Sequence, residues 1–377
     1  AYTCPVVKHG ENGNWQRISE KDIAFNTDPI EYTFSFVQKE DIAYVAFSYP
    51  YTFKDVVRFI GKEEKKKYVS LDYIGETAEG RRYPCLRVGP VGINAQGMVV
   101  ITARHHAGEV SGSYVLEGII NAYVTLLEEH GSKETGISLL IFPFVDLDGV
   151  ETGRYGKDRP PVDFNRDWTV RPEHPEIQCI QNHTEKAAAK NTPILYIDLH
   201  APQPGGTTYI VPARASSSGM NQYYMVWDFY GKLEKAVEGI STCRVEDLDP
   251  YAINWGQEMY QHNSVQYHAK YFNIPSFTLE TSYHYDSDNI LLGPDIWREL
   301  GEKLWNTVVN VFKDSVNRET GSEKINSKDV DKEKTVPEKN IRITSGEIVW
   351  ENWEMVSLPH NADLQEEGSR MTVRSSE

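Results

Sequence analysis

The stretch VVITARHHAGEVSGSYVLEGIINAYVTLLEEHG, residues 99–131, decides the fold. Its first five residues, 99–103, are apolar or β-branched, as in a buried strand. Apolar side chains then recur at intervals of three and four residues, and this spacing predicts an amphipathic helix. The helix is expected to take its N-cap from Ser111-Gly112-Ser113 and to end near Gly131. A buried strand followed directly by a helix is the unit from which α/β folds are built.

The same alternation continues through the chain. Buried-type strands are predicted at 137–144 (ISLLIFPF), 193–199 (PILYIDL) and 275–279 (PSFTL), and helices at 219–237 and 296–312. Strands that alternate with helices imply a mixed, mostly parallel central sheet with helices on both faces. The predicted fold class is therefore α/β.

The segments that flank this pattern differ from it. At 30–37 and 42–47, β-branched and aromatic residues alternate with polar ones, which is the pattern of half-buried strands. We therefore predict a small β-rich domain at 1–62, an α/β domain at 63–316, a charged linker at 317–340, and a short β-type segment with a flexible tail at 341–377. The run KEEKKK at 62–67 is interpreted as a solvated helix end or linker.

Composition and charge exclude some classes of function. The chain has 377 residues and a formal net charge of −16, so general nucleic-acid binding is disfavoured because phosphates would be repelled. No apolar run approaches the ~20 residues that span a bilayer. The four cysteines match no CxxC metal motif and are too few for a disulfide-stapled scaffold, although a disulfide or two stays open. The sequence begins at Ala1 without a signal pattern, so a leader has been removed or the chain belongs to a longer product, and cytoplasmic and exported locations both stay open.

Four polar clusters stand just after strand-like runs. They are RHHAGE (104–109), DFNRDW (163–168), DLHAPQ (198–203) and TLETS (278–282). In an open α/β sheet, ligands bind beyond the carboxyl ends of the strands, so we expect these clusters to converge.

The first and third of these clusters offer metal ligands. His106 and Glu109, three residues apart on a tight turn, can direct a nitrogen and a carboxylate at one ion, and His200 at a strand end can supply a third ligand. Zinc accepts this mixture of donors, and three protein ligands leave a position for water. Asp198, two residues before His200 on the same strand face, is placed to brace a histidine. By itself, His-x-x-Glu is a common chance match, and a helix-capping Glu near a surface His is the ordinary alternative.

The other two clusters offer catalytic and recognition groups. Glu280 follows an apolar strand and is placed to take a proton from metal-bound water, although an exposed strand-end carboxylate is the plainer interpretation. Arg166 beside Asn165 suits the recognition of a carboxylate, which an arginine can grip with two parallel hydrogen bonds. A surface ion pair of Arg166 with Asp167 is the alternative.

Taken in this order, the clusters resemble the zinc carboxypeptidase (funnelin) family, most closely its cytosolic-type branch and the bacterial relatives of that branch. HAGE resembles the His-Pro-Gly-Glu of that branch, VDLDGV its Asn-Pro-Asp-Gly-Val, and DFNRDW its Asp-Leu-Asn-Arg-x-Trp. The segments DLHAPQ and TLETS match as well, and the resemblance runs from about Tyr32 to Phe312.

The resemblance implies a metal site and a proton shuttle. His106, Glu109 and His200 would hold one zinc ion, with His105 as a rival ligand that lacks the His-x-x-Glu spacing. Glu280 would be the general base toward zinc-bound water and then the general acid toward the leaving amine.

The resemblance also implies substrate-binding residues. Asn165 and Arg166 would bind the terminal carboxylate of the substrate. A further arginine should stabilise the oxyanion, but the cytosolic-type motif has it directly after a tyrosine, where this chain has Gly156. Arg159 is preferred for this role over Arg154. A family tyrosine that closes over the substrate would be one of Tyr251, Tyr260 and Tyr267.

The expected activity is that of a zinc metallo-carboxypeptidase that removes C-terminal residues. A zinc amidase or deacylase on small N-acyl amino acids or cell-wall peptides is the first alternative, and a pseudo-enzyme that uses the cleft for binding is the second. The expected partner is a peptide or acylated amino acid with a free carboxylate, with no nucleic acid and no membrane span.

Overall fold

The computed structural model describes residues 4–27, 30–89, 97–131, 136–203, 205–244, 262–320 and 370–373. The strands are β1 Val6–His9, β2 Gln16–Arg17, β3 Ile23–Thr27, β4 Ile30–Ser35, β5 Ala43–Ala46, β6 Val69–Glu76, β7 Arg82–Val88, β8 Gly97–Ala103, β9 Ile137–Phe142, β10 Pro193–His200, β11 Tyr209–Pro212, β12 Ser276–Glu280 and β13 Arg370–Val373. The helices are α1 Phe53–Ile60, α2 Glu63–Lys66, α3 Ser111–His130, α4 Leu147–Thr152, α5 Pro175–Ala188, α6 Ala215–Ser218, α7 Met220–Ala236, α8 Ser264–Phe272 and α9 Pro294–Thr320.

The central sheet has seven strands in the order β11-β12-β10-β8-β9-β7-β6. Its four middle strands, β12, β10, β8 and β9, run parallel, and the flanking strands pair antiparallel to them. The predicted mixed sheet is confirmed. Because parallel strands share one carboxyl edge, the ends of β8, β10 and β12 meet there, with His200 paired in register with Glu280.

Helices cover both faces of this sheet. On β10, Leu199 lies against Gly112 of α3, so closely that a Cβ on Gly112 would be 3.0 Å from the Cβ of Leu199. Tyr196, three residues earlier on the same strand, stacks on His268 of α8 with ring centroids 3.7 Å apart. Side chains an odd number of residues apart point to opposite faces of a strand, so α3 and α8 lie on opposite sides of the sheet.

Helix α3 is buried between the sheet and α9. At Gly118 a Cβ would lie 1.9 Å from the carbonyl oxygen of Arg298, and at Gly301 it would lie 2.0 Å from that of Val115. The two helix backbones thus touch at a pair of glycines, and any larger side chain there would force the helices apart. Glycine is unfavourable inside a helix by about 1 kcal/mol relative to alanine, and the close packing accounts for its presence here.

The N-terminal β unit, strands β1 to β5, forms two small sheets in the orders β2-β1-β5 and β13-β4-β3. Val7, Ile18 and Phe34 form its small core. The strands predicted at 30–37 and 42–47 are present as β4 and β5. Helix α1 packs in the core of the α/β domain instead, so the predicted boundary at residue 62 falls after an element that belongs to the larger unit.

Three local predictions differ from the structure. The N-cap of α3 is Val110, whose side chain makes no capping hydrogen bond, rather than one of the predicted serines. Helix α9 continues to Thr320 and so extends past residue 317, where a linker was predicted. Residues 370–373 form β13 on β4 instead of a flexible tail, because a distant strand supplies the pairing. The rest of the predicted linker and the strand pair at 341–349 lie outside the described residues.

Candidate metal centre and active site

The three predicted metal ligands lie together at the carboxyl edge of the sheet. His106 and Glu109 come from the turn after β8, and His200 is the last residue of β10. Nδ1 of His106 is 2.8 Å from one carboxylate oxygen of Glu109, and Nδ1 of His200 is 2.7 Å from the other. The donor atoms of this trio, here called the metal centre, all lie within 4.8 Å of one another.

Each histidine of the metal centre is held at its other nitrogen by an aspartate. Nε2 of His106 lies 3.2 Å from Asp163, and Nε2 of His200 lies 2.9 Å from Asp198. A histidine that donates from Nε2 presents a lone pair at Nδ1, as metal-ligating histidines do. Two such lone pairs would then face the oxygens of a buried carboxylate, and a cation between them, or protons on the two rings, makes that arrangement favourable. The donor set therefore fits the zinc ion that the sequence implies.

The pKa values of His200 and Glu109 also favour positive charge at the metal centre. Burial alone would lower the pKa of His200, but the carboxylates of Asp198 and Glu109 outweigh it and the pKa lies well above its usual value. Burial likewise opposes the charged form of Glu109, yet His106, Lys157 and His200 bring its pKa well below the usual range.

His105, the rival ligand, is engaged elsewhere. Its Nδ1 lies 2.9 Å from Asp198, and its Nε2 accepts a hydrogen bond of 3.0 Å from the indole of Trp168. Burial lowers its pKa, in keeping with a neutral ring. His105, Asp198 and His200 also form a trio with converging donor atoms. Because Nδ1 of His105 pairs with Asp198 and the lone pair of its Nε2 accepts from the indole, His105 has no lone pair left for a metal, and the geometry favours His106 as the ligand.

Glu280, at the end of β12, is buried beside the metal centre and is only 4% exposed. Burial raises its pKa to about 7, against the opposing effect of His200. Its Oε2 has no hydrogen-bond partner among the described residues. The side chain is thus a carboxyl group able to exchange a proton near neutral pH.

Asn165 and Arg166 lie on a short 3-10 turn, Phe164–Arg166, whose N-cap Asp163 accepts a 2.6 Å hydrogen bond from the Asn165 backbone. The side-chain amide of Asn165 lies 3.1 Å from Nε2 of His200, and its oxygen accepts from the Ser264 backbone. This turn therefore places the predicted carboxylate-binding pair next to the metal centre.

The two arginine candidates for the oxyanion differ in burial. Arg154 is exposed, whereas Arg159 is 8% exposed and its Nε lies 3.1 Å from a carboxylate oxygen of Asp146. An arginine held by a buried carboxylate is better fixed in position than an exposed one, which favours Arg159.

Lys157 is a cation that the sequence reasoning missed. Its Nζ lies 3.2 Å from a carboxylate oxygen of Glu109, although the side chain as a whole is 44% exposed. Desolvation of the amine would lower its pKa, but Glu109, Tyr155 and Glu280 raise it. It directly follows Gly156, where φ is +106° and a Cβ would lie 2.4 Å from the backbone nitrogen of Ala107. No side chain fits at position 156, so an arginine, which the cytosolic-type motif has at this position, cannot be accommodated here. Lys157, the next residue, supplies a cation instead.

Of the three tyrosines predicted as candidates to close over the substrate, only Tyr267 lies in the described residues. Tyr251 and Tyr260 lie outside the described residues. Tyr267 is buried on α8 against Trp168, with ring centroids 5.4 Å apart. Tyr155, which the sequence reasoning also missed, has its pKa raised by burial, with Glu109 and Glu280 among the neighbouring charges.

The chain resembles known proteins over its α/β domain. Residues 61–202 match the zinc carboxypeptidase family, Peptidase_M14. Cytosolic carboxypeptidase 6 of Caenorhabditis elegans is 28% identical over 52% of this chain and 46% of its own length, and that of Homo sapiens is 28% identical over 52% and 43%. The chain thus spans less than half the length of these curated relatives. The match to the family includes all three residues of the metal centre but not Glu280.

Solved structures show the same fold. A metallo-carboxypeptidase from Burkholderia cenocepacia superimposes with a TM-score of 0.67 at 18% identity, over 83% of this chain and 81% of the other. One from Pseudomonas aeruginosa gives 0.64 at 16% identity, over 84% and 82%. Among the described residues, no helix has the length and apolar character to cross a membrane. Residues 61–202 thus resemble the zinc carboxypeptidase family, Peptidase_M14, and the chain shares its fold with solved metallo-carboxypeptidases.

Proposed function

We propose that this chain is a zinc-dependent metallo-carboxypeptidase that hydrolyses a C-terminal peptide bond. The observation that carries the proposal is the convergence of His106, Glu109 and His200 at one strand edge, with Glu280 buried beside them. The similarity to cytosolic carboxypeptidases supports it.

In this proposal, Nδ1 of His106, the carboxylate of Glu109 and Nδ1 of His200 hold one zinc ion. Bound zinc would supply Lewis-acid polarisation of a carbonyl and a water of lowered pKa. Asp163 and Asp198 keep the two imidazoles in the ligating tautomer by accepting from Nε2.

Glu280 is the proposed general base and general acid. A carboxyl group with a pKa near the working pH can both accept and return a proton, and burial raises the pKa of Glu280 to about 7. Its oxygen without a partner among the described residues is available to receive a proton from the attacking water and to deliver it to the leaving amine.

Asn165 and Arg166 are proposed to bind the terminal carboxylate of the substrate. Charge-assisted hydrogen bonds from a guanidinium fix a carboxylate in orientation as well as in place. Arg159 is proposed to stabilise the negative charge on the carbonyl oxygen, a role in which one lost donor typically costs about 10²–10³ in kcat.

Substitution His200→Ala should leave the chain with about one equivalent of zinc fewer than the wild type, because one of three ligands and its brace on Asp198 are lost. Elemental analysis of purified protein measures this, with His183→Ala on α5 as a matched control. Wild-type zinc content in His200→Ala would refute the ligand assignment.

Substitution Glu280→Gln should reduce kcat on a peptide with a free C-terminus by about 10²–10⁴ while the zinc content stays at the wild-type level. The amide is nearly isosteric but cannot take the proton. Steady-state kinetics and elemental analysis on the same sample test this, and Glu128→Gln, an exposed residue of α3, serves as control. Appreciable residual turnover would rule out the proton shuttle.

Substitution Arg166→Ala should reduce kcat/KM for peptides with a free C-terminus much more than for the same peptides with an amidated one. The reason is that only the free carboxylate would lose its ionic hydrogen bonds. Arg171→Ala, an exposed arginine in the following loop, is the control. An equal loss on both classes of peptide would contradict carboxylate recognition.

Substitution Arg159→Met should lower kcat by about 10²–10³ with little change in KM, because the lost charge acts in the transition state. Lys157→Met is the matched comparison, since Lys157 is a second cation near the metal centre and its Nζ lies 3.2 Å from Glu109. If Lys157→Met shows the large loss and Arg159→Met does not, the role belongs to Lys157.

A further inference from the structure

A second group of metal-ligand side chains lies outside the metal centre. It consists of Cys4, Glu20 and His284, whose sulfur, oxygen and nitrogen donor atoms all lie within 4.8 Å of one another. Cys4 is 2% exposed and His284 is 5% exposed, whereas Glu20 faces solvent. Among the residues that the structure describes, no other such group contains a cysteine.

The three residues come from three separate segments. Cys4 stands just before β1, and Glu20 begins a 3-10 turn after β2, so both belong to the N-terminal β unit. His284 lies in the loop after β12, four residues beyond Glu280. The group therefore spans the contact between the β unit and the segment that carries the proposed general base.

The backbone on both sides of this contact is fixed. Arg17 donates to the carbonyl oxygen of Cys4 at 3.0 Å, and also to those of Tyr283 at 3.2 Å and Leu292 at 3.0 Å. The carbonyl oxygen of His284 accepts from the Leu292 backbone at 2.6 Å. One half-buried guanidinium thus holds Cys4 beside the residue that precedes His284, and the donor atoms are brought together without a metal.

We propose that Cys4, Glu20 and His284 bind a second zinc ion, which joins the N-terminal β unit to the loop that follows Glu280. A thiolate, an imidazole and a carboxylate together suit zinc, whereas calcium and magnesium take oxygen ligands. On binding, the thiol of Cys4 gives up its proton to solvent and its sulfur forms a bond to the metal.

Two charged groups, Glu20 and Arg17, lie near the thiol of Cys4. Burial, and then the carboxylate of Glu20, raise the pKa of the Cys4 thiol, while Arg17 lowers it. The thiol therefore stays protonated until a metal displaces its proton, and the thiolate and Glu20 would then offset the two charges of a divalent ion. Arg17 donates to the backbone carbonyls of Cys4, Tyr283 and Leu292, so it fixes the segments that carry Cys4 and His284 relative to one another.

Cobalt(II) is the probe that separates the two sites. It occupies zinc sites, and a thiolate ligand gives it a strong near-ultraviolet charge-transfer absorption that nitrogen and oxygen ligands do not give. The metal centre has no sulfur ligand, so this band reports the second site alone. The metal-free full chain should bind two equivalents of cobalt, and one of them should produce the band.

Variants assign the band to its ligands. Cys4→Ser should abolish the band and remove one equivalent, while Cys179→Ser on α5 should leave both unchanged. His200→Ala should lose the other equivalent and keep the band, so a failure of the proposed peptidase site is distinguishable from a failure of this one. A wild-type chain without the band, or a band that survives in Cys4→Ser, would overturn the second site.

A fourth variant covers the case in which Cys4→Ser does not fold. Glu20 is exposed, so Glu20→Gln should keep the fold. It should weaken the binding of the band-forming cobalt by at least about 10-fold, since even partners outside the coordination shell are worth that much. Unchanged affinity in Glu20→Gln would show that the carboxylate is not a ligand and would overturn the three-residue site.

Discussion

The buried carboxylate of Asp198 is the constraint on which the rest of the active site depends. It is fully buried, and it accepts hydrogen bonds from Thr102 at 2.8 Å and Ser264 at 2.6 Å while it also contacts His105 and His200. A buried charge is tolerated only when it is fully paired, so these partners fix β8, β10 and α8 relative to one another. The orientation of His200, a proposed ligand, and the hydrogen bond that engages Nδ1 of His105 both follow from this one group.

The metal centre could be predicted from the sequence because it uses local rules. Parallel strands share a carboxyl edge, so polar residues that follow apolar strands, such as His106, His200 and Glu280, had to meet. Helix α3 was likewise predicted from the spacing of its apolar side chains. What could not be predicted depends on contacts between distant segments. Lys157 lies next to Glu109 because the loop at Gly156 packs on the Ala107 backbone. The pattern of apolar residues along the sequence does not predict such a contact between distant loops.

An excess of buried negative charge explains why this edge of the sheet requires a cation. Glu109, Asp163, Asp198 and Glu280 are all mostly or fully buried within one small region. Positive charge from Lys157 offsets Glu109 only in part. Without a metal, protons on His106 and His200 supply the remainder, which is why the pKa of each is raised although burial alone would lower it. Binding of a divalent ion would therefore release protons, and metal affinity and pH are linked at this centre.

The position of Glu280 depends on the loop that follows it, and the backbone of that loop is tied at every residue. The Thr281 N–H donates to the His200 carbonyl at 2.9 Å, and its carbonyl accepts from Ser111 at 2.9 Å. The next three carbonyls, at 282, 283 and 284, accept from Trp297, Arg17 and Leu292. If Glu280 is the general base, a following loop held by so many bonds would restrict its backbone before the substrate arrives, which is the condition for preorganised catalysis. Because Arg17 belongs to the N-terminal β unit, that unit is part of the support of the active site rather than an appendage.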